Sequence, residues 1–243
     1  MKEKKIGTIA GLLCLLSLFC LIALFALLNR LNRPEVIAQV KTVTIPEGLT
    51  AVEISKLLQN EGVFVNGEML PQEIEGYLFP DTYEFFVPSG LGFVVKKLSD
   101  NFNVKVPPNV PTGKNLKEIL TVASLVEEEV AHDADRPIVA GIILKRLKSG
   151  MPLQIDSSIC YIKPLPCHPI KSSDLDIDSP YNTYLYKGLP PGPISNPGLE
   201  AIIASVKPTH SGYWFYISDP KTRKIIFATT LEEQGANIYR YLK

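Results

Sequence analysis

Three consecutive glutamates, Glu127, Glu128 and Glu129, lie near the end of the segment KNLKEILTVASLVEEEV at residues 114–130. At helical spacing, Leu116, Ile119, Leu120, Ala123, Val126 and Val130 fall within one arc of about 120°. Glu127 falls inside that arc, whereas Glu128 and Glu129 point elsewhere. A carboxyl forced into apolar surroundings loses the hydration of its charged form, and its pKa rises. An acid still protonated near neutral pH can donate a proton to a leaving group. The same spacing is also met by a glutamate at the edge of the stripe, snorkelling to water or paired with a nearby Lys or Arg. Periodicity leaves both readings open.

Other side chains with chemical potential are more dispersed. His132, His168 and His210 lack metal-ligand spacing and read as surface or structural histidines. Cys160, Cys167 and His168 could supply three ligands, but a local Cys160–Cys167 disulfide is favoured. Ser124 sits within the helical segment, without the strand-turn-helix sequence of a nucleophile elbow. There is no GxxxxGK[ST], GxGxxG or HExxH pattern, which removes the common nucleotide-binding and zinc-protease readings. The stretch DSPYNTYLYKGLPPGPISNPG (178–198) combines tyrosines, amides and stiff prolines. It could hold sugar rings, which present both C–H faces and hydroxyls, or it could be a loop that covers the core.

The elements that must position these residues follow from local signals. Helices are expected over about 115–131 and about 137–149, the second with Pro137 in its first turn and Gly150 after its end. Residues 164–208 contain nine prolines, so only a short helix after Asn196-Pro197 is expected there. YWFYIS (213–218) and KIIFA (224–228) form a hairpin pattern, and Thr230 with Glu233 caps a final helix. Nearer the N-terminus, an alternating strand at 42–45, a turn at Pro46–Gly48 and a helix capped by Thr50 and Glu53 make a small module ending at Gly62 and continuing towards residue 100. The class is α+β.

The 243 residues carry 25 basic and 25 acidic side chains, unevenly placed. Residues 1–33 hold Lys2, Lys4, Lys5, Arg30 and Arg33 against Glu3 alone, leaving 20 basic and 24 acidic groups beyond them. A mildly acidic body without a basic run argues against nucleic acid as a partner. Ile6 to Leu28 is uncharged for 23 residues, enough for one helical membrane span and longer than the apolar core of a signal peptide. Three preceding lysines against two following arginines favour a cytoplasmic N-terminus, with the body outside the membrane.

The chain resembles the endolytic murein transglycosylases, membrane-anchored enzymes that cut peptidoglycan glycan strands. The resemblance rests on EGYLFPDTYEF (75–85), ILTVASLVEEEV (119–130), VAGIILKRLKSGMPLQIDSSICY (139–161), YNTYLYKGLPPGPISNPGLEAI (181–202) and YWFYISD (213–219), in family order. It implies an N-terminal transmembrane helix within residues 1–33, a linker and shortened LysM-like module over 34–100, and an α+β catalytic domain over 101–243. It implies Glu127 as the catalytic residue, acting on the bond between N-acetylmuramic acid and N-acetylglucosamine to leave 1,6-anhydro ends and terminate nascent strands. Candidates for holding the sugars are Gln154, Asp156, Tyr181, Asn182, Thr183, Tyr184, Glu75 and Tyr83. Glu75 and Tyr83 could instead link the modules, and Asp156 could be the second carboxylate of a water-using muramidase. A non-catalytic murein-binding scaffold is the alternative from another class. The expected partners are glycan strands, the bacterial cytoplasmic membrane and the peptidoglycan synthases, with no metal or nucleotide cofactor.

Overall fold

The computed structural model describes residues 17–28, 39–65, 67–111, 113–163, 167 and 169–242. They fall in two compact units, Met1–Gln39 and Val40–Lys243. In the first, residues 17–28 are helical and exposed. The remainder of the expected span at 6–28 lies outside the described residues. Among the described residues, no helix is long and apolar enough to cross a membrane.

All but the first residue of β1 (Gln39–Ile45) belongs to the second unit, and the strand's alternation buries Val43 and Ile45. After the turn at 46–48 comes α1 (Ala51–Asn60). Its capping box is formed: Glu53 N donates to the Thr50 hydroxyl and Thr50 N donates to the Glu53 carboxylate. This satisfies two backbone donors that a helix start leaves open. β2 (Asp81–Val87) pairs with β1, and α2 (Leu91–Lys105) follows. Ile54, Leu58, Leu78, Phe85 and Leu98 close the core of this part.

A second core surrounds α3 (Lys114–Glu129). Leu120, Ala123, Leu125 and Val126 join Ile143 of α4 (Arg136–Lys148), Ile155 just before α5 (Asp156–Ile162) and Ile202 of α6 (Leu199–Val206). Residues 120–126 of α3 are all buried, so this stretch has no solvent face. Its polar members are satisfied locally. Thr121 Oγ1 donates to the Lys117 carbonyl, and Ser124 Oγ donates to the Thr121 carbonyl and accepts from Ile194 N. Ser124 thus holds the proline-rich loop against α3. On α4, Gly141 meets the chain after α6 so closely that a Cβ would lie 2.1 Å from the Thr209 carbonyl oxygen. β3 (Phe215–Ser218) and β4 (Ile225–Ala228) form the expected antiparallel hairpin, with Phe215 opposite Ala228. α7 (Leu231–Leu242) is capped by Thr230, whose hydroxyl accepts from Glu233 N.

Candidate active site

Glu127 lies near the C-terminal end of α3, and its side chain is 7% exposed. Arg136 Nη2 donates to its Oε1 at 2.8 Å, and Gly198 N donates to its Oε2 at 3.0 Å. Burial pushes the Glu127 pKa up; the Gly198 amide and the Arg136 charge act against this, and Glu47 and Asp133 reinforce it. Both readings of the periodicity therefore apply, because the carboxyl is buried and also paired with an arginine.

The partners arrive from three segments. Arg136 opens α4 and is itself only 7% exposed, with Asp133 Oδ1 3.4 Å from its Nε and Glu47 Oε2 3.9 Å from its Nη2. Its Nε has no hydrogen-bond partner. Gly198 caps the N-terminus of α6. A Cβ there would sit 1.7 Å from Glu47 Oε1, so a glycine is what lets the Glu47 carboxylate approach.

Glu128 and Glu129 leave the apolar arc, as the helical wheel has it, but they meet the surrounding elements to different degrees: Glu128 is exposed and Glu129 is half-buried. Glu128 opens to solvent along one edge, but the walls of the cleft crowd its carboxyl. This crowding governs its titration: burial, with the nearby Glu127 and Glu53 charges, raises its pKa to about 7. A Cβ on Gly48 would lie 2.9 Å from Glu128 Oε1, so the turn after β1 forms one wall. Glu129 accepts from the Ser157 hydroxyl at 2.9 Å, and burial raises its pKa as well.

Cavities meet at these three glutamates. One, of about 400 Å³, lies between the 47–50 turn, Glu127, Glu128 and Tyr161. A second runs from Glu127–Ala131 to Ser218–Pro220. A third, of about 560 Å³, joins Glu129 to Gln154, Asp156, Tyr184 and Tyr216. Together they form a cleft across the end of α3, acidic at its centre and aromatic at its far end.

The sugar-holding candidates divide by position. Gln154, Asp156 and Tyr184 line the third cavity, and the Tyr184 hydroxyl donates to Asp156. Asp156 borders neither cavity that Glu127 lines. Tyr181 is half-buried against Tyr161, with ring centroids 4.9 Å apart. Asn182 and Thr183 are placed inside rather than on the cleft. Asn182 Nδ2 donates to the Leu175 and Ile177 carbonyls, and the Thr183 hydroxyl accepts from Ile155 N. Their polar atoms are used in holding the loop.

Glu75 and Tyr83 are likewise internal. Glu75 accepts from Ala51 N at the start of α1 and from Asn196 Nδ2, while Tyr83 donates to the Phe79 carbonyl. Of their two readings, the linking one matches Glu75. Cys160 and Cys167 are paired, with Cα atoms 5.0 Å apart, within the normal disulfide range. His168 lies outside the described residues. Among the described residues, no group of three His, Cys, Asp or Glu side chains is arranged to hold a metal ion.

Sequence reasoning missed Arg136, Gly198 and Glu47. The available signals were an arginine just before the helix-starting Pro137, and a glycine after Asn196-Pro197 where a helix begins. Neither signal names Glu127 as the partner.

The model of the YceG-like family matches residues 22–240. The chain belongs to the YceG-like family. It is 33% identical over 218 residues to a Bacillus subtilis protein named endolytic murein transglycosylase, covering 88% of this chain and 59% of that one. It is 34% identical over 178 residues to a protein of the same name from Streptococcus pneumoniae, covering 70% of this chain and 32% of that one. The chain thus spans about three fifths and one third of the lengths of these relatives. The crystal structure of a YceG-like protein from Listeria monocytogenes superposes with a TM-score of 0.72 at 26% identity, covering 82% of this chain and 76% of that one.

Proposed function

We propose that this protein is a murein lytic transglycosylase that cleaves the β-1,4 bond between N-acetylmuramic acid and N-acetylglucosamine. The observation that carries the reading is the desolvated carboxyl of Glu127 at the centre of a polar and aromatic cleft, in a chain related to proteins of that name. Protonated Glu127 gives its proton to the glycosidic oxygen as the bond to muramyl C1 breaks. The muramyl 6-hydroxyl then attacks C1, and the Glu127 carboxylate takes the hydroxyl proton. The product is a 1,6-anhydro sugar, no water is consumed, and Glu127 returns to its starting state. One carboxyl serves both steps, where most glycosidases use two. Arg136 and the Gly198 amide steady the carboxylate between donation and removal.

Gln154, Asp156 and Tyr184 would hold sugars on the far side of Glu129. The protein would act on nascent strands as a single-pass protein of the cytoplasmic membrane, with its catalytic part outside. The 23-residue apolar run and the paired cysteines support that placement.

The test is Glu127→Gln, which keeps shape but can neither donate the proton nor take it back. Cutting of purified murein should fall by at least about 10²–10⁴-fold with the fold intact. Normal cutting by the variant would remove the assignment. Mass analysis of wild-type products should show muramyl ends about 18 Da lighter than hydrolysed ends, because internal attack replaces water. Reducing muramic ends as the main product would establish a muramidase instead.

A further inference from the structure

We infer that Glu47, in the turn between β1 and α1, is a positioning residue of the active site: its carboxylate shares Arg136 with Glu127 and keeps that guanidinium from being neutralised by Glu127 alone. The inference rests on the reading of Glu127 as the acid and assigns to the small N-terminal module a part in the chemistry.

The geometry is fixed by backbone. Gly48 N donates to the Asn196 carbonyl and Asn196 N donates to the Leu49 carbonyl, each at 3.0 Å. Asn196 Nδ2 also reaches the Leu49 carbonyl, and its Oδ1 accepts from Gly76 N and Leu78 N. The 47–49 turn is therefore pinned to the segment that supplies Gly198. Glu47 Oε2 stands 3.9 Å from Arg136 Nη2, the same nitrogen that donates to Glu127. The bare Cα of Gly198 provides the space that the Glu47 carboxylate occupies.

A buried guanidinium needs compensating charge. Three carboxylates surround this one: Glu127 in the interior, Asp133 at 70% exposure and Glu47 at 49% exposure. Water screens Asp133 most. The other charged groups around Glu127 are Glu128 beside it on α3, Glu53 of α1 and Arg223 of the β3–β4 turn, which lines the same cavity. The first chemical step needs Glu127 protonated, and an unopposed Arg136 would hold it ionised. Glu47 opposes Arg136 and raises the Glu127 pKa. The second step needs the carboxylate, which Arg136 still reaches at 2.8 Å. Glu47 thus sets the balance between donor and acceptor forms of one side chain.

The test uses the whole chain carrying Glu47→Gln, which keeps the size of the side chain and removes its charge. Carbon-13 NMR of labelled glutamate carboxyls, with the Glu127 signal assigned by its loss in Glu127→Gln, reads the titration directly. In Glu47→Gln the Glu127 midpoint should move to lower pH, and the alkaline limb of the murein-cutting profile should move with it. Glu47→Asp, which restores charge, should return both towards wild type. If Glu47→Gln does not fold, Glu47→Ser removes the charge with less bulk beside Gly198 and carries the same expectation. An unchanged Glu127 titration in the folded charge-removing variant overturns the inference, whatever happens to the rate. A shifted titration in a protein whose Glu127→Gln form still cuts would instead overturn the catalytic reading and leave the electrostatic one standing.

Discussion

Two glutamates with similar pKa behaviour have different work. Glu127 faces a cleft, whereas Glu75 is 3% exposed and caps α1 through Ala51 N while accepting from Asn196. Burial raises the Glu75 pKa from 4.5 to about 7. A carboxyl with a raised folded-state pKa binds its proton more tightly in the fold, so its contribution to stability is complete below about 4.5 and is lost as pH rises towards 7. The unfolding free energy measured in urea should therefore fall across that window, by up to about 3 kcal/mol for Glu75. Glu128, also raised to about 7, adds a slope of the same sign. Glu75→Gln should flatten the dependence without removing it, and an unchanged slope would contradict the account. At this scale the sequence was legible for Glu127, because helical spacing placed it among apolar positions. It was not legible for Asn182, Thr183, Glu75 and Tyr83, because a recognisable segment contains loop-holding and cleft-lining residues alike. Arg136 and Gly198 stand nine and 71 positions from Glu127. No local pattern reports a pairing of that kind.

Among the elements, those with end signals were read best. α3 and α4 begin and end within two residues of expectation, and α1, α6, the hairpin and α7 follow their caps and turns. β2 and α2 lie in the part read only as a continuation of the module. α5 has seven residues, too few for a helical period to stand out. The wheel set Glu128 and Glu129 apart from the apolar arc, but it assumes one buried face and so did not show that residues 120–126 are buried all round. Close contact between elements makes its own prediction at Gly141. A Cβ there would press on the Thr209 carbonyl oxygen, which belongs to backbone held by Thr209 N donating to the Pro137 carbonyl. Gly141→Ala should therefore destabilise the fold by about 1–3 kcal/mol in urea unfolding, through overpacking. Wild-type stability would show that α4 and the 207–211 segment can separate cheaply.

For the whole molecule, the proposed anchor predicts behaviour in cells. The chain should stay with membranes after a high-salt wash and begin at residue 1 or 2. Protease added outside the cytoplasmic membrane should digest the body and spare the N-terminus. A soluble form starting near residue 30 would defeat this. The clasp centred on Asn196 also bears on when the protein becomes competent. Asn196 bonds Leu49, 147 positions earlier, and Gly76, 120 positions earlier. Contacts of such long range close late in folding, because loop-closure entropy must be met first. A growing chain delivers the module and Glu127 well before the segment that unites them. A nascent polypeptide stopped short of residue 198 would carry the acid without its amide partner or its finished cleft. Timing is thereby written into chain order: under the proposed function, the cutting edge is left unassembled until the segment around residue 198 has been made.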